Sequence, residues 1–217
     1  QNGIYSSYNL FTFCRQLGFL SDPAFRKAFD DNVETEIEKG IIWRTHILCW
    51  AAENGMKREG DFVECGCYKG TSAKIVLDYL NFDKQQRTYY LYDLFENDSS
   101  IDHHAQPEYG EDLFQKTKER FLEYKNVKVS NGRVPESLEQ GMPNKIAFLH
   151  IDMNNARSEV AALESLWDRV VPGGLIILDD YGWSWAYAAQ KFAEDPFFAS
   201  KGYKVVELPT GQGMVLK

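Results

Sequence analysis

The sequence predicts an α/β fold with a doubly wound, seven-stranded and mostly parallel sheet whose last strand is antiparallel, preceded by an N-terminal helical cap. Three observations support this prediction. Short apolar runs alternate with amphipathic stretches from residue 62 onward, which is typical of a parallel sheet covered by helices on both faces. A glycine-containing turn joins the first run to the first of these helices. A short connection, residues 209–213, joins the last two runs.

Seven apolar runs are the predicted strands: Phe62–Cys65, Tyr89–Tyr92, Val127–Val129, Ile146–Ile151, Leu175–Leu178, Tyr203–Leu208 and Met214–Leu216. The segments between them have the apolar spacing of helices, as at Ala73, Val76, Leu77 and Leu80. The connection before the last run is too short for a helical crossover, so the last two strands are expected to pair as an antiparallel hairpin.

The chain is expected to contain an N-terminal helical cap, residues 1–58, and one compact cofactor-binding domain, residues 59–217. The cap is predicted to be mostly helical, with a helix start at Asp22-Pro23 and a further helix from Ile41 to Glu53. A chain of 217 residues is long enough to bury a full α/β core.

Charge, hydropathy and cysteine spacing argue against several classes of partner and site. The 24 basic and 32 acidic residues give a net charge of -8, and no Lys/Arg block is present, whereas nucleic-acid binding depends on a positive surface. No apolar run approaches the roughly 20 residues that span a bilayer. The cysteines lack CxxC spacing. This cysteine spacing favours reduced thiols in a cytoplasmic protein.

The turn after the first predicted strand carries the strongest functional signal. Glu64 ends the strand, and Gly66 and Gly70 allow the backbone to approach a ligand closely. The helix start and the Ser72 hydroxyl suit a carboxylate, Glu64 suits a cationic amine, and the Tyr68 ring suits a sulfonium. The spacing ExGxxxG, rather than GxGxxG, favours S-adenosylmethionine over a nicotinamide or a flavin.

Acidic residues follow three further predicted strands. Asp93, after the second, is placed to accept hydrogen bonds from a ribose diol. Asp152 follows the fourth strand, and Asp179 and Asp180 follow the fifth. If these strands are neighbours, three repelling carboxylates converge, and their oxygens suit Mg²⁺. Bound Mg²⁺ would favour the deprotonated form of a substrate hydroxyl. The alternative is a set of solvated acids without a metal.

Four motifs together resemble the class I S-adenosylmethionine-dependent methyltransferases and, more narrowly, the macrocin O-methyltransferase family. They are VECGCYKGTS at 63–72, YDLFE at 92–96, LHIDM at 149–153 and PGGLIILDDYG at 172–182. The resemblance implies a Rossmann-like methyltransferase fold and a metal-dependent O-methyl transfer. It also implies that Asp152, Asp179 and Asp180 hold Mg²⁺, that the first loop and Asp93 hold the cofactor, and that Gly132 lies at the adenine edge.

Two departures from the family pattern concern the acceptor and the general base. The family usually has an acid and a tyrosine where this chain has Asn154 and Ala156, and catechol-type relatives have a lysine where it has Asn155. The catalytic base is therefore expected to be Asp152 or a histidine of the loop 96–110, with His104 as the candidate.

Three further residues near these motifs have two interpretations each. His150 is expected to be a buried strand histidine. Trp183 and Trp185 follow the acid pair directly. They are expected either to wall an acceptor pocket or to pack in an aromatic core.

The leading hypothesis is a Mg²⁺-dependent O-methyltransferase that acts on a hydroxyl of a small molecule, such as a sugar of a natural product. One alternative keeps the cofactor without the metal, in a methyltransferase for nitrogen or a simple alcohol. Another is a non-catalytic cofactor-binding domain of a longer biosynthetic protein. Helical caps of this architecture often pack against a second subunit, which makes a homodimer a candidate assembly.

Overall fold

The chain begins with a two-stranded hairpin, which the sequence analysis did not predict. The computed structural model describes residues 3–99, 106–110 and 112–217. Strands β1 (Ile4–Ser7) and β2 (Leu10–Phe13) pair antiparallel. The expectation of a mostly helical segment 1–58 is wrong for these residues, whose aromatic and β-branched side chains favour strand.

Three helices follow the hairpin: α1 (Pro23–Asp30), α2 (Glu36–Gly40) and α3 (Ile42–Gly55). The predicted start of α1 is confirmed, because the Asp22 carboxylate accepts hydrogen bonds from the backbone N–H groups of Ala24 and Phe25. α1 and α3 share a hydrophobic core with the sheet. The division of the chain at residue 58 stays a prediction.

The main sheet has seven strands: β3 (Asp61–Cys65), β4 (Tyr89–Asp93), β5 (Val127–Asn131), β6 (Ile146–Ile151), β7 (Val170–Leu178), β8 (Val206–Glu207) and β9 (Gly213–Leu216). Their order is β5-β4-β3-β6-β7-β9-β8. β9 pairs antiparallel with both of its neighbours, and the pairs from β5 to β7 are parallel. The predicted topology is therefore confirmed, although β7 begins five residues before the predicted run (175 − 170 = 5).

Helices cover both faces of this sheet, as predicted. The remaining helices are α4 (Thr71–Leu80), α5 (Leu113–Arg120), α6 (Ala156–Leu166) and α7 (Ala188–Ser200). One core includes side chains from α1, α3 and α4, and a second core includes side chains from α6 and α7. Among the described residues, no helix has the length and apolar character needed to cross a membrane.

The strand order reverses between β3 and β6, which places a crevice at the carboxyl ends of these two central strands. The chain runs from β3 outward to β4 and β5, and then returns to β6 on the other side of β3. In open α/β sheets this switch point is where ligands bind. The turn after β3 and the acids after β4, β6 and β7 therefore meet at one edge.

Candidate active site

The turn between β3 and α4 packs so closely against its neighbours that two of its positions exclude a side chain. Gly66 has φ +91°, and a Cβ atom added there would lie 1.8 Å from the carbonyl oxygen of Asp152. Gly70 has φ +80°, and its added Cβ would lie 2.6 Å from the Phe121 ring. Only glycine combines a positive φ angle with the absence of a Cβ atom, and both positions require this combination.

Glu64 is fully buried at the end of β3 and is bonded within the protein. Its Oε1 accepts a hydrogen bond from the Ser72 hydroxyl at 2.8 Å, and its Oε2 accepts one from the Tyr89 hydroxyl at 2.9 Å. His150 Nδ1 lies 3.3 Å from Oε1. Glu64 thereby joins β3 to α4, β4 and β6. Its contact with a cationic amine stays a prediction.

Asp93 ties the turn after β3 to the loop after β4. Its Oδ2 accepts a hydrogen bond from Tyr68 N–H and its Oδ1 accepts one from Phe95 N–H, each at 2.7 Å. The Tyr109 hydroxyl also bonds Asp93, and burial followed by this negative charge raises the pKa of Tyr109. Asp93 borders a small cavity of about 30 Å³ together with Gly132 and Met153.

A larger cavity of about 280 Å³ also borders the Gly66 turn. Its wall includes Tyr68 and Ser72 from this turn and helix, Asp152 and Asp179 from the sheet edge, and the segments 33–48 and 106–108. Gly66 borders both cavities. Tyr68 and Ser72, which are predicted for the donor, and Asp152 and Asp179, which are predicted for the metal, therefore line the same cavity.

Sheet register brings two of the three predicted metal ligands together. Ile151 pairs with Leu178, so the next residues, Asp152 and Asp179, leave the sheet side by side. Carboxylate oxygens of these two residues and a ring nitrogen of His150 all lie within 4.8 Å of one another. Asp180 follows directly and is buried. The acids converge at Asp152 and Asp179, and the third ligand-type group within this distance is His150 rather than Asp180.

Arg44, which the sequence analysis did not identify, is the nearest cation to these acids. Its Nη2 donates to the Asp179 carboxylate, to the Asp179 carbonyl oxygen at 2.6 Å, and to Asp180 Oδ1 at 3.0 Å. Arg44 is only 7% exposed. An arginine within the mostly apolar run 41–52 was the available signal, because a charge on a buried helix face needs a partner.

The pKa values show how the acids share their positive partners. Burial, and then repulsion from Asp179 and Asp180, raises the pKa of Asp152 well above its ordinary value. Although burial opposes it, Arg44 lowers the pKa of Asp179. Burial raises the pKa of Asp180 to about 6 despite Arg44. Although burial opposes it, the negative charges of Glu64 and Asp179 raise the pKa of His150 well above its ordinary value.

A family model described as macrocin-O-methyltransferase (TylF) matches residues 49–197. The match covers most of the chain and contains all four motifs of the crevice. The chain belongs to the macrocin O-methyltransferase family. Among curated proteins, no sequence matches it significantly.

Solved structures of other methyltransferases share the fold of this macrocin O-methyltransferase family member. The O-methyltransferase NovP has a TM-score of 0.68 at 19% identity, over 81% of this chain and 80% of its own. The calicheamicin methyltransferase CalS11 has a TM-score of 0.64 at 11% identity, over 93% of both chains. PaMTH1 of Podospora anserina, bound to S-adenosylhomocysteine, has a TM-score of 0.59 at 14% identity, over 90% of this chain and 88% of its own.

These comparisons confirm two predictions for this family member. It is an S-adenosylmethionine-dependent O-methyltransferase, and its mixed seven-stranded sheet is the Rossmann-like methyltransferase fold. The alternative hypothesis, that the chain is a non-catalytic cofactor-binding domain, is therefore not retained. The individual site residues and the use of Mg²⁺ stay predictions.

The residues that depart from the family pattern have local structural roles in this methyltransferase. Asn155 caps α6, since its side-chain oxygen accepts a hydrogen bond from Ser158 N–H at 2.9 Å. Asn154 adopts φ +56° in the turn before it. The candidate base His104, with its neighbour His103, lies outside the described residues.

The N-terminal hairpin reaches the loop after β7. The ring of Tyr8 stacks on that of Trp183, with centroids 5.7 Å apart and planes 7° apart, and the Asn9 side chain donates to the Trp183 carbonyl oxygen. Trp183 also contacts the Arg44 guanidinium, whose carbon lies 4.1 Å from the ring centroid. Trp185 is 91% exposed and so takes no part in a core.

Proposed function

We propose that this enzyme methylates a hydroxyl group on a sugar carried by a natural product or its nucleotide-activated precursor, and that it uses Mg²⁺. The observation that carries this proposal is the shared crevice, in which the glycine turn and the acids after β6 and β7 line one cavity. The family is named for a macrocin O-methyltransferase. CalS11 is a TDP-rhamnose 3′-O-methyltransferase of calicheamicin biosynthesis, which supports a sugar acceptor.

The donor half of the site is assigned to the turn after β3 and to the small cavity beside it. Gly66, Tyr68, Gly70, Ser72 and the start of α4 would bind the methionine part of S-adenosylmethionine, with Glu64 fixing Ser72. Asp93 and Gly132 would bind the adenosine part, since both border the small cavity. To bind a ribose, Asp93 would exchange its bond with the Tyr109 hydroxyl for bonds with the ribose diol. S-Adenosylmethionine supplies an electrophilic methyl group.

The acceptor half of the site has a donor set that fits Mg²⁺. Three carboxyl groups, those of Asp152, Asp179 and Asp180, lie beside one guanidinium, that of Arg44, which bonds Asp179 and Asp180. His150 lies between Glu64 and Asp179. Carboxylate oxygens are the hard ligands that Mg²⁺ prefers. When bound, Mg²⁺ would favour the ionised form of an acceptor hydroxyl.

The protein's own contribution to catalysis would be to orient the acceptor and to accept its proton. Asp152 is the candidate proton acceptor, because it lines the larger cavity beside the donor turn. Its backbone is fixed against Gly66. The proton acceptor would thus stay close to the donor turn, and positioning of this kind accounts for a large part of the rate of a group transfer.

A two-part experiment tests this proposal. Isothermal titration of the folded protein with S-adenosylmethionine should show binding. Methyl transfer to a panel of TDP-deoxysugars and macrolide glycosides should then occur with MgCl₂ and stop with EDTA. Absence of cofactor binding would contradict the donor assignment. Turnover of phenols but not of sugars would contradict the acceptor class.

A metal-independent O-methyltransferase is the second candidate, and one observation favours it. Arg44 already supplies a positive charge to Asp179 and Asp180. In that case the acids would orient the acceptor by hydrogen bonds, and turnover would be insensitive to EDTA. The excess of three carboxyl groups over one guanidinium favours the metal-dependent candidate.

A further inference from the structure

Arg44 occupies the carboxylates that the proposed function assigns to a metal. It projects from α3, outside the predicted cofactor-binding domain, and bonds Asp179 and Asp180 across the crevice. Its guanidinium is buried with them. Arg44 is therefore the positive partner that makes a buried acid pair tolerable in the protein without a metal.

The geometry of this contact is weaker than that of a two-pronged arginine–carboxylate pair. All three hydrogen bonds use Nη2, which has two hydrogens for three acceptors. The buried Nε of Arg44 has no hydrogen-bond partner among the described residues. A guanidinium bonded through one nitrogen gives up the additional strength of the bidentate arrangement. It is therefore more easily replaced by another cation.

We propose that Arg44 is the resident counter-ion of the Asp179–Asp180 pair and competes with a divalent cation for these carboxylates, so that metal binding releases the guanidinium from the pair. This inference rests on the metal assignment in the proposed function. The Arg44 guanidinium and a divalent cation repel each other strongly when both contact the same buried carboxylates. Arg44 thus offsets part of the negative charge of the pair until the metal arrives.

Trp183 reports on the position of Arg44. The guanidinium carbon lies 4.1 Å from the ring centroid of Trp183, and the same ring stacks on Tyr8 of the N-terminal hairpin. Release of Arg44 from Asp179 and Asp180 changes the charge next to this indole. The competition between Arg44 and the metal is therefore observable as a change in Trp183 fluorescence. The Trp183 ring also links Arg44 to the N-terminal hairpin, because it stacks on Tyr8.

The test measures Mg²⁺ binding directly at pH 8, by isothermal titration with MgCl₂ and by tryptophan fluorescence. Arg44→Met should bind Mg²⁺ at least about tenfold more tightly than the wild type, because it lacks the competing charge. Arg44→Lys should stay within about threefold of the wild type, because it keeps that charge. The matched control is Arg87→Met, since Arg87 bonds backbone carbonyls near the other end of the sheet. This control should leave Mg²⁺ affinity unchanged.

The fluorescence measurement needs no Arg44 variant and so stands even if Arg44→Met does not fold. Adding MgCl₂ to the wild type should change the emission, and Trp183→Phe should abolish that change while Mg²⁺ still binds. Equal or weaker Mg²⁺ binding by a folded Arg44→Met, or binding without a Trp183 signal, would overturn the proposal. Absence of Mg²⁺ binding in both the wild type and Arg44→Met also overturns it. Binding of S-adenosylmethionine and turnover in EDTA then show whether O-methyl transfer survives without the metal.

Discussion

A Cβ atom placed on Gly66 would lie 1.8 Å from the carbonyl oxygen of Asp152. This contact joins the turn that is assigned to the methyl donor to the strand end that carries the proposed proton acceptor. The Asp152 N–H in turn donates to the Cys65 carbonyl oxygen at 2.9 Å. The two halves of the crevice are therefore fixed to each other through backbone, with no side chain between them.

Replacing Gly66 with alanine should separate the two halves. Alanine at φ +91° costs about 1–2 kcal/mol in backbone strain, and its Cβ forces the Asp152 backbone away. We expect the free energy of unfolding to fall by at least about 2 kcal/mol, and S-adenosylmethionine affinity to fall at least about tenfold. Urea unfolding and isothermal titration measure the two effects.

Gly18→Ala is the matched control for this substitution. Gly18 has no atom within 4 Å of an added Cβ among the described residues, so neither stability nor cofactor affinity should fall. If Gly66→Ala binds S-adenosylmethionine like the wild type, the Gly66 turn does not contact the donor.

The acid pair after β7 should control metal dependence. Asp179→Asn and Asp180→Asn preserve shape but remove a negative charge from a site whose charge favours a divalent cation. We expect each variant to lose at least about tenfold in Mg²⁺ affinity and about 100-fold in turnover, while S-adenosylmethionine still binds. Asp168→Asn, which changes an exposed acid, is the control. Unchanged activity and Mg²⁺ dependence in both pair variants would show the metal assignment to be wrong.

The sequence predicted the sheet well because its strands are short apolar runs with helical spacing between them. The turn at Gly66 and the acid after each strand were predictable for the same reason, since a parallel sheet places all these strand ends at one edge. The hairpin β1–β2 was missed. Its strands have four residues each, and such short runs cannot be distinguished from a helical segment by period alone.

The Arg44 contact could not be predicted because it joins residues 135 and 136 positions apart through α3 and the loop after β7. Periodicity shows that a helix is buried but not which strand end its charged residue meets. His150 illustrates the same limit. It was predicted to be buried, and it is, but its place between Glu64 and Asp179 depends on the alignment of β3, β6 and β7.

A buried pair of glutamates between α6 and α7 should make stability depend on pH. Burial, followed by the charge of Asp180, raises the pKa of Glu194 to about 8, and burial with Glu194 raises that of Glu159. The folded state then holds more protons than the unfolded state between about pH 4.5 and 8, so the free energy of unfolding falls as pH rises through this range. Glu194→Gln should be more stable than the wild type by about 3 kcal/mol at pH 9.

Urea unfolding from pH 5 to pH 9 measures this difference. Glu164→Gln is the control, because Glu164 is an exposed glutamate on α6 and its replacement should leave the pH dependence intact. A wild-type stability that is flat from pH 5 to pH 9 would contradict the raised pKa values of Glu159 and Glu194.

Lys69 should hold helix α2 against the donor turn. Its ammonium lies 3.2 Å from a carboxylate oxygen of Glu38, 3.4 Å from one of Glu108 and 3.7 Å from one of Glu34. Although burial opposes it, the backbone N–H groups of Thr35 and Glu34 and the Thr71 hydroxyl lower the pKa of Glu38 to about 2. Glu38 is therefore charged at neutral pH and needs this cation.

Lys69→Met should leave the Glu38 carboxylate without its ammonium partner and loosen α2, because three acids would then repel one another at the cavity wall. A loss of about 1 kcal/mol in local stability corresponds to about fivefold faster hydrogen exchange in α2, which mass spectrometry measures. Lys39→Met removes an exposed lysine of the same helix that pairs with Glu36, and it should leave exchange nearly unchanged. Equal exchange rates in the two variants would show that the Lys69 contacts do not hold α2 in place.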